Sequence, residues 1–119
     1  MAVAHIELVR KFKGEPVVLL AMDAEGLHVI RMAFASARQG RVCSAVTGLA
    51  ALEIRPESDQ AAIHLESVPT VWRLSPKKIG EIVEKLASMQ EVSRPGHRYV
   101  DIVFPTRTLV LAKDEYLLY

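Results

Sequence analysis

A single cysteine, Cys43, stands among 119 residues. No intrachain disulfide can form, and a reducing, cytoplasmic setting is the expected one. Long apolar runs are missing as well. The most apolar stretch, Val17 to Met22, is far short of the roughly 20 residues that cross a bilayer, and it stops at Asp23. The first residues lack a basic segment followed by a long apolar one, so no secretory leader and no membrane partner are expected. Charge of one sign is scarce too, with 15 Lys plus Arg against 14 Asp plus Glu. A general polyanion binder draws most of its affinity from phosphate neutralisation and shows a basic surplus. Balanced charge instead favours self-association near neutral pH. Gly-rich nucleotide loops, His-Glu-x-x-His, Cys-x-x-Cys and Asp-rich loops are all absent, so neither a cofactor nor a metal is expected.

What remains is a globular composition, 50% hydrophobic and 24% charged, in a chain long enough to fill one core without a metal or disulfide. No repeat, linker or low-complexity tract is visible, so residues 1–119 read as one α+β domain. Residues 3–12 set Ile6 and Leu8 against Glu7 and Arg10, a half-buried strand pattern. Lys13-Gly14-Glu15-Pro16 is a turn. Residues 17–22 have no polar face and belong in the middle of a sheet, covered on both sides.

Residues 24–38 are read as a helix with Asp23 as N-cap. Leu27, Val29, Ile30, Ala33, Phe34 and Ala37 fall on one side at 100° steps; His28, Arg31, Ser36 and Arg38 fall on the other. Met32 intrudes on the polar side, and Gly26 is the residue that disfavours helix. The competing reading is a strand from 27 to 34. Residues 42–47 and 49–55 read as strand with Gly48 a bulge or break, and residues 49–55 pair with 61–66 as a hairpin. Ser75 and Pro76 then start a second helix with an apolar stripe of Ile79, Ile82, Val83, Leu86 and Met89, and an exposed Glu81–Lys85 pair. Strands at 98–104 and 107–112 follow.

The expected fold is therefore two helices on a mainly antiparallel sheet, in ferredoxin-like βαββαβ order with extra N- and C-terminal strands. The alternative is an antiparallel β roll with one helix. In the expected layout a second subunit would cover the free sheet face.

Several residues could carry chemistry. His28, Arg31 and Arg38 share the first helix's polar side, Arg41 follows, and no acidic residue occurs between Glu25 and Glu53. Guanidinium groups without nearby carboxylates suit phosphate or carboxylate partners, yet charged faces on amphipathic helices are commonly just solvated. Arg94-Pro95-Gly96-His97-Arg98 is a second basic loop whose glycine could offer backbone N–H groups to an anion; an exposed turn is the plainer account. Cys43 is a nucleophile if a neighbouring cation stabilises its thiolate, and otherwise a small core side chain. Asp101, between Val100 and Ile102, is a proton-transfer carboxylate if half-buried. His64 and Glu66 could supply two metal ligands, too few for a site; with Glu53 and Arg55 they form an outer row of cross-strand charges. The tail residues Tyr116, Leu117, Leu118 and Tyr119 either pack back on the domain or form an interface with another subunit.

Asp23-Ala24-Glu25-Gly26-Leu27 after an apolar strand resembles the strand-to-helix signature of anti-sigma-factor antagonist (STAS) domains. The resemblance covers that one element. Members in sporulation regulation carry a phosphorylatable serine near the Gly-Leu, where this chain has Ala24 and Glu25, and the downstream hairpin departs from the family's alternating order. No role is carried over from it. The expected function is a non-catalytic regulatory module acting through protein–protein contacts and self-association. Nucleic-acid or anion binding through the first helix's arginines, and a small enzyme using Cys43 or Asp101, are the alternatives.

Overall fold

The computed structural model describes residues 2–117. Its elements are β1 (Ala4–Phe12), β2 (Glu15–Met22), α1 (Ala24–Ala37), β3 (Cys43–Thr47), β4 (Ala50–Pro56), β5 (Ala61–His64), β6 (Thr70–Leu74), α2 (Pro76–Gln90), β7 (Gly96–Asp101) and β8 (Thr108–Lys113). Both helices form as their sequences dictate. The Asp23 carboxylate accepts from the Gly26 N–H at 2.7 Å, and the Ser75 hydroxyl accepts from the Lys78 N–H at 3.1 Å, each satisfying one free donor of a first turn. The α2 stripe is buried throughout. In α1 the buried side is Leu27, Ile30, Ala33, Phe34 and Ala37, whereas Val29, expected inside, is exposed.

The strands do not assemble into one ferredoxin-like sheet, nor into a one-helix roll. Two four-stranded sheets form, ordered β1-β2-β8-β7 and β3-β4-β6-β5. Each joins two antiparallel hairpins through a parallel centre, β2 with β8 and β4 with β6. The physical reason lies at Gly48. It takes φ +59°, and a Cβ there would stand 2.8 Å from the Ala4 nitrogen. Only glycine fits this bend, so it is a tight turn folding β3 back on β4 rather than a bulge. With one edge of β4 taken by β3, the other accepts β6, and the expected 49–55 with 61–66 hairpin does not form; β5 pairs with β6 instead.

The chain contains an internal repeat that its residues do not advertise. Residues 3–57 and 60–114 each run β-β-α-β-β, and exchanging them exchanges the sheets. Backbone hydrogen bonds repeat with the topology. Asp23 N–H donates to Val3 C=O at 2.9 Å, and Ser75 N–H to Gln60 C=O at 2.8 Å. Asp114 N–H donates to Met22 C=O at 2.8 Å, and Glu57 N–H to Leu74 C=O at 2.9 Å. Ala4 C=O accepts from Leu49, and Ala61 C=O from Val103.

One core lies between the inner sheet faces and the two helices, with Phe34 edge-on to Trp72 at 5.6 Å. The helices run antiparallel, since His28 near the start of α1 meets Gln90 at the end of α2. A second apolar cluster covers the outer face of the first sheet: Phe12, Val17, Leu19, Ala21, Val110 and Ala112. Residues 17–22 are thus covered on both sides, as their composition requires. The cover includes the chain's own tail, because Leu117 packs on this cluster and Tyr116 stacks edge-on to Phe12 at 5.3 Å. Leu118 and Tyr119 lie outside the described residues.

Candidate functional site

A sheet's outermost strands carry unpaired N–H and C=O groups and template the addition of another strand unless something blocks them. Among the described residues four such strands exist, and three carry a docked group, a bulge or a lysine. Ala4 of β1 accepts from the Leu49 N–H; residues 4–9 keep regular register with β2, and beyond them the strand is bulged between Val9 and Phe12 and carries Arg10 and Lys11. β5 is four residues long and is bridged by Val103 and Phe104, with Ile63 N–H donating to Phe104 C=O at 2.8 Å. On β7 the Lys85 ammonium donates to the Tyr99 carbonyl. β3 differs. Among the described residues, it bonds only to β4.

Exposed apolar side chains gather beside that strand. Val46 on β3 is 76% exposed, Leu49 in the following turn 79%, and Val42 and Met32 about half. Val29 adds to them from α1. Between α1 and β3 runs a groove of about 450 Å³, lined by Val29, Met32, Ala33, Ser36 and residues 43–46, none of them charged. Contiguous exposed apolar surface next to a free strand marks an interaction site. Cys43 is half-buried on this groove's inner side, packed against the core.

The arginine face of α1 is partly occupied. Arg38 reaches across α2: its Nη2 lies 3.5 Å from the Glu84 carboxylate, and a Cβ at Gly80 would touch its guanidinium at 3.4 Å. Carboxylates distant in sequence thus supply what the stretch from 26 to 52 lacks. His28 Nδ1 bonds the Gln90 amide at 3.1 Å. Arg31 is half-buried, its Nε enclosed without a hydrogen-bond partner among the described residues, while Arg41 is exposed.

The second basic loop is brought together with a residue that sequence reasoning passed over. Arg94, Pro95, Gly96 and Arg98 line a pocket of about 120 Å³ with Met89, Val92 and Lys113. Lys113 is 5% exposed. Its ammonium donates to Met89 C=O at 3.3 Å and to Val92 C=O, closing the C-terminal end of α2, where a cation is favoured. A lysine ending the buried run Leu109–Ala112 was the signal available in the sequence. No carboxylate pairs with Arg94, Arg98 or Lys113 among the described residues.

Asp101 is exposed at the end of β7, without an ion-pair partner among the described residues. His64 and Glu66 approach at 3.5 Å, but no group of three potential metal ligands forms among the described residues. Among these residues no helix is long and apolar enough to cross a membrane. No protein-family model, curated protein or solved structure matches the chain.

Proposed function

We propose that this domain is a binding module that acts through protein–protein contact and self-associates edge to edge through β3. One observation carries the reading: β3 is the single outer strand left without a bulge, a flanking lysine or a docked loop among the described residues, and it is bordered by exposed Val42, Val46, Leu49 and Met32. A second copy is the occupant that fits. The groove is uncharged, so it offers no charge selectivity for an acidic or basic peptide. Two β3 strands run antiparallel across a two-fold axis would place apolar rims on apolar rims and extend both four-stranded sheets into one. Tyr116 and Leu117 support this choice of surface, because they are engaged on their own domain.

A strand of five residues plus its rim is a modest contact, so association in the micromolar range is expected. Light scattering after size exclusion at rising micromolar concentration is the test. The native chain should move from 13.2 kDa toward twice that mass, and Val46→Lys should stay at 13.2 kDa with an unchanged circular dichroism spectrum. A native chain that is monomeric throughout, or a Val46→Lys dimer, overturns the proposal.

A further inference from the structure

We infer that the pocket at the C-terminal end of α2 is a receptor for a doubly charged oxyanion, either free phosphate or the terminal phosphoryl group of a larger molecule. The observation is independent of the β3 edge. Arg94, Arg98 and Lys113 converge on about 120 Å³, room for one small oxyanion or several waters. None of the three forms an ion pair with a carboxylate among the described residues. The carbonyls that Lys113 meets belong to a helix end worth about half a negative charge, which offsets only part of the positive charge that the three side chains carry. Like charges held together in a partly enclosed site favour an anion between them.

The donors also suit a phosphoryl group. Lys113 spends hydrogen bonds on two carbonyls and keeps a third proton, since an ammonium has three donors. Arg98 gives one Nη1 bond to the His97 carbonyl at 3.1 Å, leaving most of its five donors. Arg94 is exposed at the mouth and can close over an occupant. Guanidinium forks match phosphate oxygens in pairs, which a lysine cluster on an open surface does not provide. Pro95 and Gly96 bring the loop backbone to the same wall. The site is small and open on one side, so it suits the end of a molecule rather than a nucleic-acid backbone laid across it.

Amide chemical shifts followed by NMR while the full chain is titrated test this, with inorganic phosphate and phenyl phosphate as separate probes and chloride at matched ionic strength as reference. Saturable shifts confined to residues 92–98 and 113 are expected for at least one probe and not for chloride. Tighter binding of the monoester identifies the end of a larger molecule as the natural occupant; tighter binding of the free ion identifies phosphate itself. Arg98→Gln should weaken binding about tenfold or more, the worth of one charge-assisted hydrogen bond. Arg94→Gln, at an exposed position that the fold does not need, should do the same. Shifts that match those of chloride, or undiminished binding by Arg94→Gln, overturn the inference.

Discussion

Lys85 of α2 donates its ammonium to the main-chain oxygen of Tyr99 on the outer edge of β7, and the place that Lys85 fills in the second half of the repeat is filled in the first half by Ala33. The two halves thus differ where an edge is either guarded or left open. A lysine beside an outer strand is a common guard, because burying its charge against an incoming strand is costly. Transplanting the guard is therefore informative. Ala33→Lys should place an ammonium in the α1–β3 groove and abolish dimer formation, at a cost of roughly 1–3 kcal/mol because position 33 is only 9% exposed. The converse variant, Lys85→Ala, should increase association by freeing β7. Sedimentation velocity on both variants decides, and dimers formed by Ala33→Lys as readily as by the native chain would count against the β3 edge.

Gly26 sits in the first turn of α1, where alanine would ordinarily be the better helix former by about 1 kcal/mol. Here a Cβ would stand 2.3 Å from the Val3 carbonyl oxygen. That oxygen is held in place, because it accepts from Asp23 N–H while the Asp23 carboxylate accepts from Val3 N–H at 3.0 Å. Relieving the clash means breaking this pair or shifting the helix, at the roughly 1–3 kcal/mol typical of overpacking. Strain outweighs propensity. Gly26→Ala should lower the urea midpoint, and an unchanged or raised midpoint would show that the N-terminal strand yields freely.

Much of this arrangement was legible in the residues, and the limits have physical causes. Periodicity sufficed for α1 and α2 because each buries one stripe, and Asp23 and Ser75 announced the starts. The run from Val17 to Met22 announced a strand covered on both faces. Strand partners were another matter. Pairing depends on which edges remain free after the Gly48 turn closes, and one glycine reads equally as bulge, break or turn. The repeat was hidden because its halves share geometry without sharing side chains: Asp23 answers to Ser75, and Ala33 to Lys85. The β3 surface was invisible for a related reason. Val42, Val46 and Leu49 look like ordinary core residues until the edge they border is known, while on the polar side of α1, conspicuous in sequence, Arg38 is answered by Glu84 and His28 by Gln90. Arg94 and Arg98 share one loop in the sequence, but Lys113 joins them only through the β7–β8 pairing.

Glu81 makes the electrostatics of α2 testable by pH. Its carboxylate lies 2.9 Å from Lys78 and 3.1 Å from Lys85. Partial burial pushes its pKa up, but the hydrogen bonds and attraction of the two lysines outweigh this and hold it below the ordinary 4.5. A carboxyl depressed by folding adds stability above its unfolded value and loses that stability as pH falls through the folded one. Glu81→Gln should therefore melt below the native protein at pH 7, by no more than about 1 kcal/mol for pairs this close to solvent. The gap should close on acidification below 4.5. A gap that persists at pH 2 would assign the loss to packing instead.

The repeat sets a limit on how the chain can be divided. Val18, Leu20 and Met22 of the first half lie in register beside Leu109, Leu111 and Lys113 of the second, and Leu52 and Ile54 lie beside Thr70 and Trp72. Both parallel pairs cross between halves, so each half alone would expose one side of two central strands and the apolar faces of its helix and hairpins. Such a fragment has too little buried surface to offset its lost chain entropy. Residues 1–58 and 59–119 made separately should each show the circular dichroism of an unfolded chain, and mixing them should restore the mixed helix-and-strand spectrum with one cooperative melt. A monomeric fragment that melts cooperatively on its own would mean that one β-β-α-β-β unit suffices for a core, and that the cross-half parallel ladders are not what holds the domain together.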